Sequence, residues 1–124
     1  MKEMEKVTEL FIDSNARICD ALSKMDSIKR KLLIVGEKDR FISLLSIGDI
    51  QRAIVNGIDL SSGIMSILRP QISVASEYDT QDAIKKRMLK GRSEYMPVVA
   101  KDGKLLKVIF WEDVFDGDVT IKKP

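Results

Sequence analysis

An internal duplication limits what this chain can fold into more than any other feature of its sequence. The stretch Phe41 to Ile54, FISLLSIGDIQRAI, recurs as LLKVIFWEDV from Leu105 to Val114. With Asp49 laid on Asp113, Leu33-Ile34-Val35 falls on Pro97-Val98-Val99 and Lys38-Asp39-Arg40 on Asp102-Gly103-Lys104. Upstream, Asp20-Ala21-Leu22 matches Asp82-Ala83-Ile84 at an offset two residues smaller, which predicts two added residues in the loop after the first helix of the second copy. Two copies within 124 residues predict small lobes sharing a core rather than two independent domains.

The residue inventory excludes several chemistries. With no histidine and one cysteine, the chain builds no Ser-His-Asp or Cys-His nucleophile, no histidine acid or base, no His-containing zinc site and no internal disulfide. A glycine-rich nucleotide loop is absent as well, so the sequence predicts that this chain is not itself an enzyme. Its net charge of +2 is too near balance for the field that nucleic-acid binding needs, so no nucleic-acid partner is predicted. No apolar run approaches membrane-spanning length and MKEMEKVTEL has no signal-peptide core, which predicts a cytoplasmic chain without membrane insertion. Cys19, between Ile18 and Ala21, reads as a buried small filler.

Taken in order, residues 1–9 carry no turn chemistry and leave a helix start and a loose arm both open. Leu10 to Ile12 reads as a short strand, followed by Asp13-Ser14-Asn15 as caps for a helix with Ile18, Ala21, Leu22 and Met25 on one face. A polar run, Asp26 to Lys31, leads to a strand at Leu32 to Val35, a turn at Glu37 to Arg40 and a partner strand at Phe41 to Leu45. Ser46 then caps a helix whose apolar face is Ile47, Ile50, Ala53 and Ile54 and which Asn56-Gly57 stops. After an amphipathic connection with Ile64, Met65, Ile67 and Leu68, the order repeats. A strand at Ile72 to Val74, an acidic capping box from Asp79 and Asp82, a helix closed by Lys90-Gly91-Arg92, strands at Tyr95 to Ala100 and Lys104 to Phe110, and a short helix from Trp111 to Phe115 complete the second copy. Asp116-Gly117-Asp118 ends that helix, and the tail VTIKKP reads as the start of a linker.

A duplicated strand-helix-strand-strand-helix unit of this kind resembles the CBS-domain family, named after cystathionine β-synthase, whose tandem pairs form Bateman modules. The resemblance runs from Leu10 to Phe115 and rests on Met96-Pro97-Val98-Val99, Lys101-Asp102-Gly103, Leu105 to Ile109 and Asp113 in the second copy. In the first copy it rests on Leu32 to Val35, Phe41 to Leu45 and Ser46-Ile47-Gly48-Asp49. It implies an α/β fold of the α+β type, with two β-α-β-β-α repeats packed about a pseudo-twofold axis. The boundaries expected are 10–57 for repeat one, 58–71 for the connecting segment and 72–117 for repeat two. Repeat one departs from the pattern with Leu33 at the proline position, and repeat two with Phe110 at the hydroxyl position.

The resemblance also implies a function: a regulatory, ligand-sensing module for an adenine nucleotide (AMP, ADP or ATP) or another adenosyl ligand, with no cofactor required. An aspartate in the first helical turn accepts ribose hydroxyls, and a preceding serine donates to phosphate. Ser46 and Asp49 match that pattern, while Asp113 has only Phe110 before it. A plain capping pair explains the same residues. Positions implied to line the adenine are Ile12, Lys31 and Leu32 in repeat one and Val74, Tyr95, Met96 and Pro97 in repeat two. The basic runs Lys29-Arg30-Lys31 and Lys85-Lys86-Arg87 read either as solvated faces or as phosphate-facing groups. Further implications are a homodimer held through Ile64, Leu68, Trp111 or Phe115, and a fused or associated enzyme domain, such as a sugar-phosphate nucleotidyltransferase. The alternative is a ligand-free dimerisation module with degenerate clefts.

Overall fold

The computed structural model describes residues 7–115, and the expectations for residues 1–6 and 116–124 lie outside the described residues. Contacts divide the chain into two compact units, with the division between Ile72 and Ser73. In the first unit residues 7–10 are helical and lead into β1 (Phe11–Asp13), α1 (Ile18–Ile28), β2 (Leu32–Glu37), β3 (Arg40–Ser46), α2 (Ile47–Val55) and a 3-10 turn, Ile64–Ile67. The second unit runs β4 (Ala75–Ser76), α3 (Gln81–Gly91), β5 (Tyr95–Val99), β6 (Leu105–Phe110) and a helix α4 at residues 111–115. Each unit has a three-stranded mixed sheet in sequence order, the first pair parallel and the second antiparallel.

Each sheet buries one set of alternating residues under its helices. Leu33 and Val35 of β2 meet Ile18, Ala21 and Met25 of α1 and Ile50 of α2 in a core that also holds Ile64. Met96 and Val98 of β5 meet Ile84 and Met88 of α3 and Phe115 of α4. Pro97 stands in a middle strand, yet β4 pairs with β5 only at Val98 and Val99. At Pro97 the strand thus has a neighbour on one side alone, where a missing N–H is tolerated.

Pairing registers revise how the two copies correspond. Leu33 pairs with Leu45 and Met96 with Ile109, so Met96 answers Leu33 and Pro97 answers Ile34. α1 and α3 are both 11 residues long, with N-caps at Arg17 and Thr80 and left-handed C-caps at Lys29 and Arg92. The copies therefore keep one spacing from β1 through β2. Gly36 faces Phe41 and Val99 faces Leu105, so the second copy gains its residue in the hairpin, and gains one rather than two. The Asp-Ala-aliphatic triplet misled because Asp20 is the third residue of α1 whereas Ala83 is the third of α3.

Several local expectations also shift. Asp13 accepts the Asn15 amide (2.8 Å) instead of capping α1, and Asp20 reaches back to the Arg17 amide (3.0 Å). The strand expected at Ile72 to Val74 lies at Ala75–Ser76, because the inward residue opposite Val98 is Ala75. Thr80, not Asp79, caps α3 by accepting the Ala83 amide. Cys19 is exposed, since Ile18, Ala21 and Met25 define the buried stripe and its neighbour turns about 100° away from it.

Candidate functional site

β3 runs directly into α2 at Ser46, whose backbone is still extended (φ −104°, ψ 162°) while its side chain caps the helix. Its hydroxyl accepts the Asp49 amide at 3.2 Å, and the Asp49 carboxylate accepts the Ser46 amide at 2.8 Å. The reciprocal pair satisfies two of the helix's orphan N–H groups. That much is capping, but Asp49 does more. It is only 2% exposed, and a buried carboxylate needs a compensating charge. Two arginines supply it at Oδ1: Arg52 through Nη2, one turn along α2, and Arg69 through Nε at 2.8 Å. Both guanidinium side chains stay substantially open to solvent, at 58% and 44%. Two cations around one anion leave surplus positive charge at the head of a helix whose dipole has the same sign.

Lys31 and Leu32 belong to this corner. Leu32 is the register partner of Ser46, and the Lys31 carbonyl accepts the Ile47 amide at 2.9 Å. Ile12 does not join them: it pairs beside Val35, further along the sheet, and is 8% exposed within the core. Arg52 and Arg69 were not expected in the site. Arg52 was legible in principle, because it follows Asp49 at helical spacing, whereas Arg69 arrives from the connecting segment and leaves no local signal.

The matching corner of the second unit has different furniture. Phe110 occupies the position of Ser46 and is buried, with its ring 5.7 Å from that of its cross-strand partner Tyr95. Tyr95 is 1% exposed, so a base cannot stack on it without opening that pair. Met96 and Pro97 are buried too, and Asp113 is exposed on α4. The Trp111 amide donates to the Glu94 carbonyl at 2.9 Å, repeating the Ile47–Lys31 bond of the first unit. Val74 lies elsewhere. Its carbonyl accepts Arg87 Nη1 at 2.8 Å, in the wall of a cavity of about 680 Å³ with Ser76, Asp79, Val99 and Lys101. A hydrogen bond from the Ser76 amide, then the Arg87 guanidinium, hold the Asp79 carboxyl below the usual carboxylate range.

Among the described residues no group of three His, Cys, Asp or Glu is placed to hold a metal ion. Nor is any helix of these residues long and apolar enough to cross a membrane.

No family model and no curated protein matches the chain. Solved structures do. A CBS domain pair/ACT domain protein from Thermotoga maritima is 17% identical, covering 91% of this chain and 90% of that one at a TM-score of 0.70. A CBS domain protein from Pyrobaculum aerophilum, complexed with AMP, is 21% identical over 84% of this chain and 81% of that one, at 0.68. CbpB in complex with c-di-AMP is 14% identical over 90% and 77%, at 0.74. At such identities the likeness speaks for architecture, and it agrees with the duplicated β-α-β-β-α order and the mixed three-stranded sheet in each unit. The chain has the fold of a tandem CBS domain pair.

Proposed function

We propose that this chain is a nucleotide-sensing regulatory module whose competent site is the Ser46–Asp49 corner of the first unit, and that its ligand is an adenine nucleotide. The observation that carries the reading is the buried Asp49 carboxylate held by two solvent-accessible arginines. A capping pair alone requires neither guanidinium. The carboxylate offers acceptors for ribose hydroxyls, while Ser46, Lys31 and the arginines offer donors and positive charge for phosphate. AMP and c-di-AMP in structures of the same fold support the choice of base and sugar. Lys31, Leu32, Ser46 and Asp49 are the residues proposed to line the site, with Asp113 and the groups around Val74, Tyr95, Met96 and Pro97 subordinate. Ile12 enters only as core support. The chain is proposed to act in the cytoplasm on a fused or associated protein, and as a homodimer.

One observation favours a ligand-free structural role instead: Asp49 already receives the Ser46 amide and both arginines, so its charge is compensated without any ligand. Thermal unfolding with AMP, ADP, ATP and c-di-AMP separates the two readings, because a ligand bound by the folded state alone raises the midpoint in proportion to the logarithm of its concentration. A rise with at least one of them is expected. No rise with any, at millimolar ligand, leaves the structural role as the better account.

A further inference from the structure

The Asp49 carboxylate has about four acceptor positions. Three are occupied: one on Oδ2 by the Ser46 amide, two on Oδ1 by Arg52 and Arg69. A ribose diol brings two hydroxyls, so one protein donor must leave when a nucleotide binds; this step rests on the proposed function. Arg52 is on the same helix as Asp49, and its contact needs little chain ordering. Arg69 comes from residues 68–74, which lie outside helix and strand, and Pro70 after it disfavours helical backbone at Arg69. Among the described residues, the Arg69–Asp49 pair is the polar tie between residues 68–73 and the rest of the first unit. Arg69 is therefore the donor whose departure is felt elsewhere in the chain.

We infer that Arg69 is the specificity-determining residue of the site: it holds Asp49 in the free protein, yields that carboxylate to the ribose, and turns to the ligand's phosphate. A nucleotide thus gives the freed guanidinium a new anionic partner, and a nucleoside gives it none. The connecting segment is re-anchored in the first case and untied in the second. Phosphorylation state of the ligand is in this way converted into the mobility of residues 68–73, where the chain passes from one unit to the next. A guanidinium–phosphate contact is charge-assisted like the guanidinium–carboxylate contact it replaces, so the exchange leaves Arg69 paired.

The test uses the full chain with AMP and adenosine, reading affinity by calorimetry and the order parameters of residues 68, 69, 71, 72 and 73 by NMR. In the wild type, AMP keeps these order parameters at or above the free value and adenosine lowers them. Arg69→Ala lowers them without ligand and reduces the preference for AMP over adenosine roughly tenfold. Arg69→Lys keeps the charge and retains most of the preference. Arg52→Ala touches the same carboxylate and leaves the segment's order parameters as in the wild type. If AMP binds but Arg69→Ala changes neither the preference nor the order parameters, the inference falls and the nucleotide reading stands. Failure of the wild type to bind either ligand overturns both.

Discussion

Asp49 and Asp79 show what a single carboxylate does in two settings. Asp49 is enclosed, so its loss leaves two guanidinium groups facing each other beside a helix N-terminus. Ser46→Ala, which removes only the cap, is expected to cost about 1 kcal/mol in urea unfolding. Asp79 is more open, and its acid–base behaviour gives a pH signature. Its folded-state pKa lies below the unfolded value because the Ser76 amide and Arg87 stabilise the charged form. Its contribution to stability is therefore fully present above the unfolded pKa, about 3.9, and is lost as pH falls through the lower, folded value. Asp79→Ala is accordingly expected to be less stable than the wild type at neutral pH, the gap narrowing once the pH drops below about 4. A gap unchanged between pH 7 and pH 3 contradicts the assignment.

At the scale of elements, the strands and helices were legible wherever hydrophobic period and turn chemistry agreed. The Leu32 run, the Lys101-Asp102-Gly103 turn and the Ser46 cap all stand where the sequence placed them. Short strands were not legible in the same way, because the two-residue β4 is defined by its partner β5 rather than by its own composition. The ends of α2 and α3 stand where Asn56-Gly57 and Lys90-Gly91-Arg92 placed them, whereas the end of α1 inside the polar run was not marked. α1 and α3 both close on a left-handed residue, Lys29 (φ 59°) and Arg92 (φ 53°), but only α3 has a glycine beside that residue to announce it. Lys29→Gly is expected to raise stability by about 0.5–1 kcal/mol, relief of the Cβ strain exceeding the added freedom of the unfolded chain. Gly36 works the other way. A Cβ there would stand 2.5 Å from the Arg40 carbonyl oxygen, a backbone atom at the bulge of the β2–β3 hairpin. Gly36→Ala is expected to destabilise by about 1–3 kcal/mol in the same assay.

For the whole molecule, the duplication was readable from a repeated motif, but its correct alignment needed strand pairing, and the proposed site includes a residue from the connecting segment. Of the proposed site, Ser46 and Asp49 are local to one strand–helix junction and show as a capping spacing in the sequence, whereas Lys31 and Leu32, across the strand pair, were reached through the family resemblance. Arg69 is joined to it only by folding. Burial likewise changes the surface proposed for dimer contacts. Ile64 and Phe115 are buried, whereas Ile54 and Val55 at the end of α2 are 50% and 83% exposed. The proposed homodimer predicts twice the chain mass by light scattering, reduced to the monomer by Val55→Glu if this end of α2 is the contact. The unlike corners of the two units predict unequal roles for Asp49 and Asp113. Calorimetric titration of AMP into the wild type, Asp49→Asn and Asp113→Asn tests that most directly. Binding by the wild type, weakened about ten- to hundredfold by Asp49→Asn and little by Asp113→Asn, is the expected result. Equal affinity in the wild type and Asp49→Asn would contradict it.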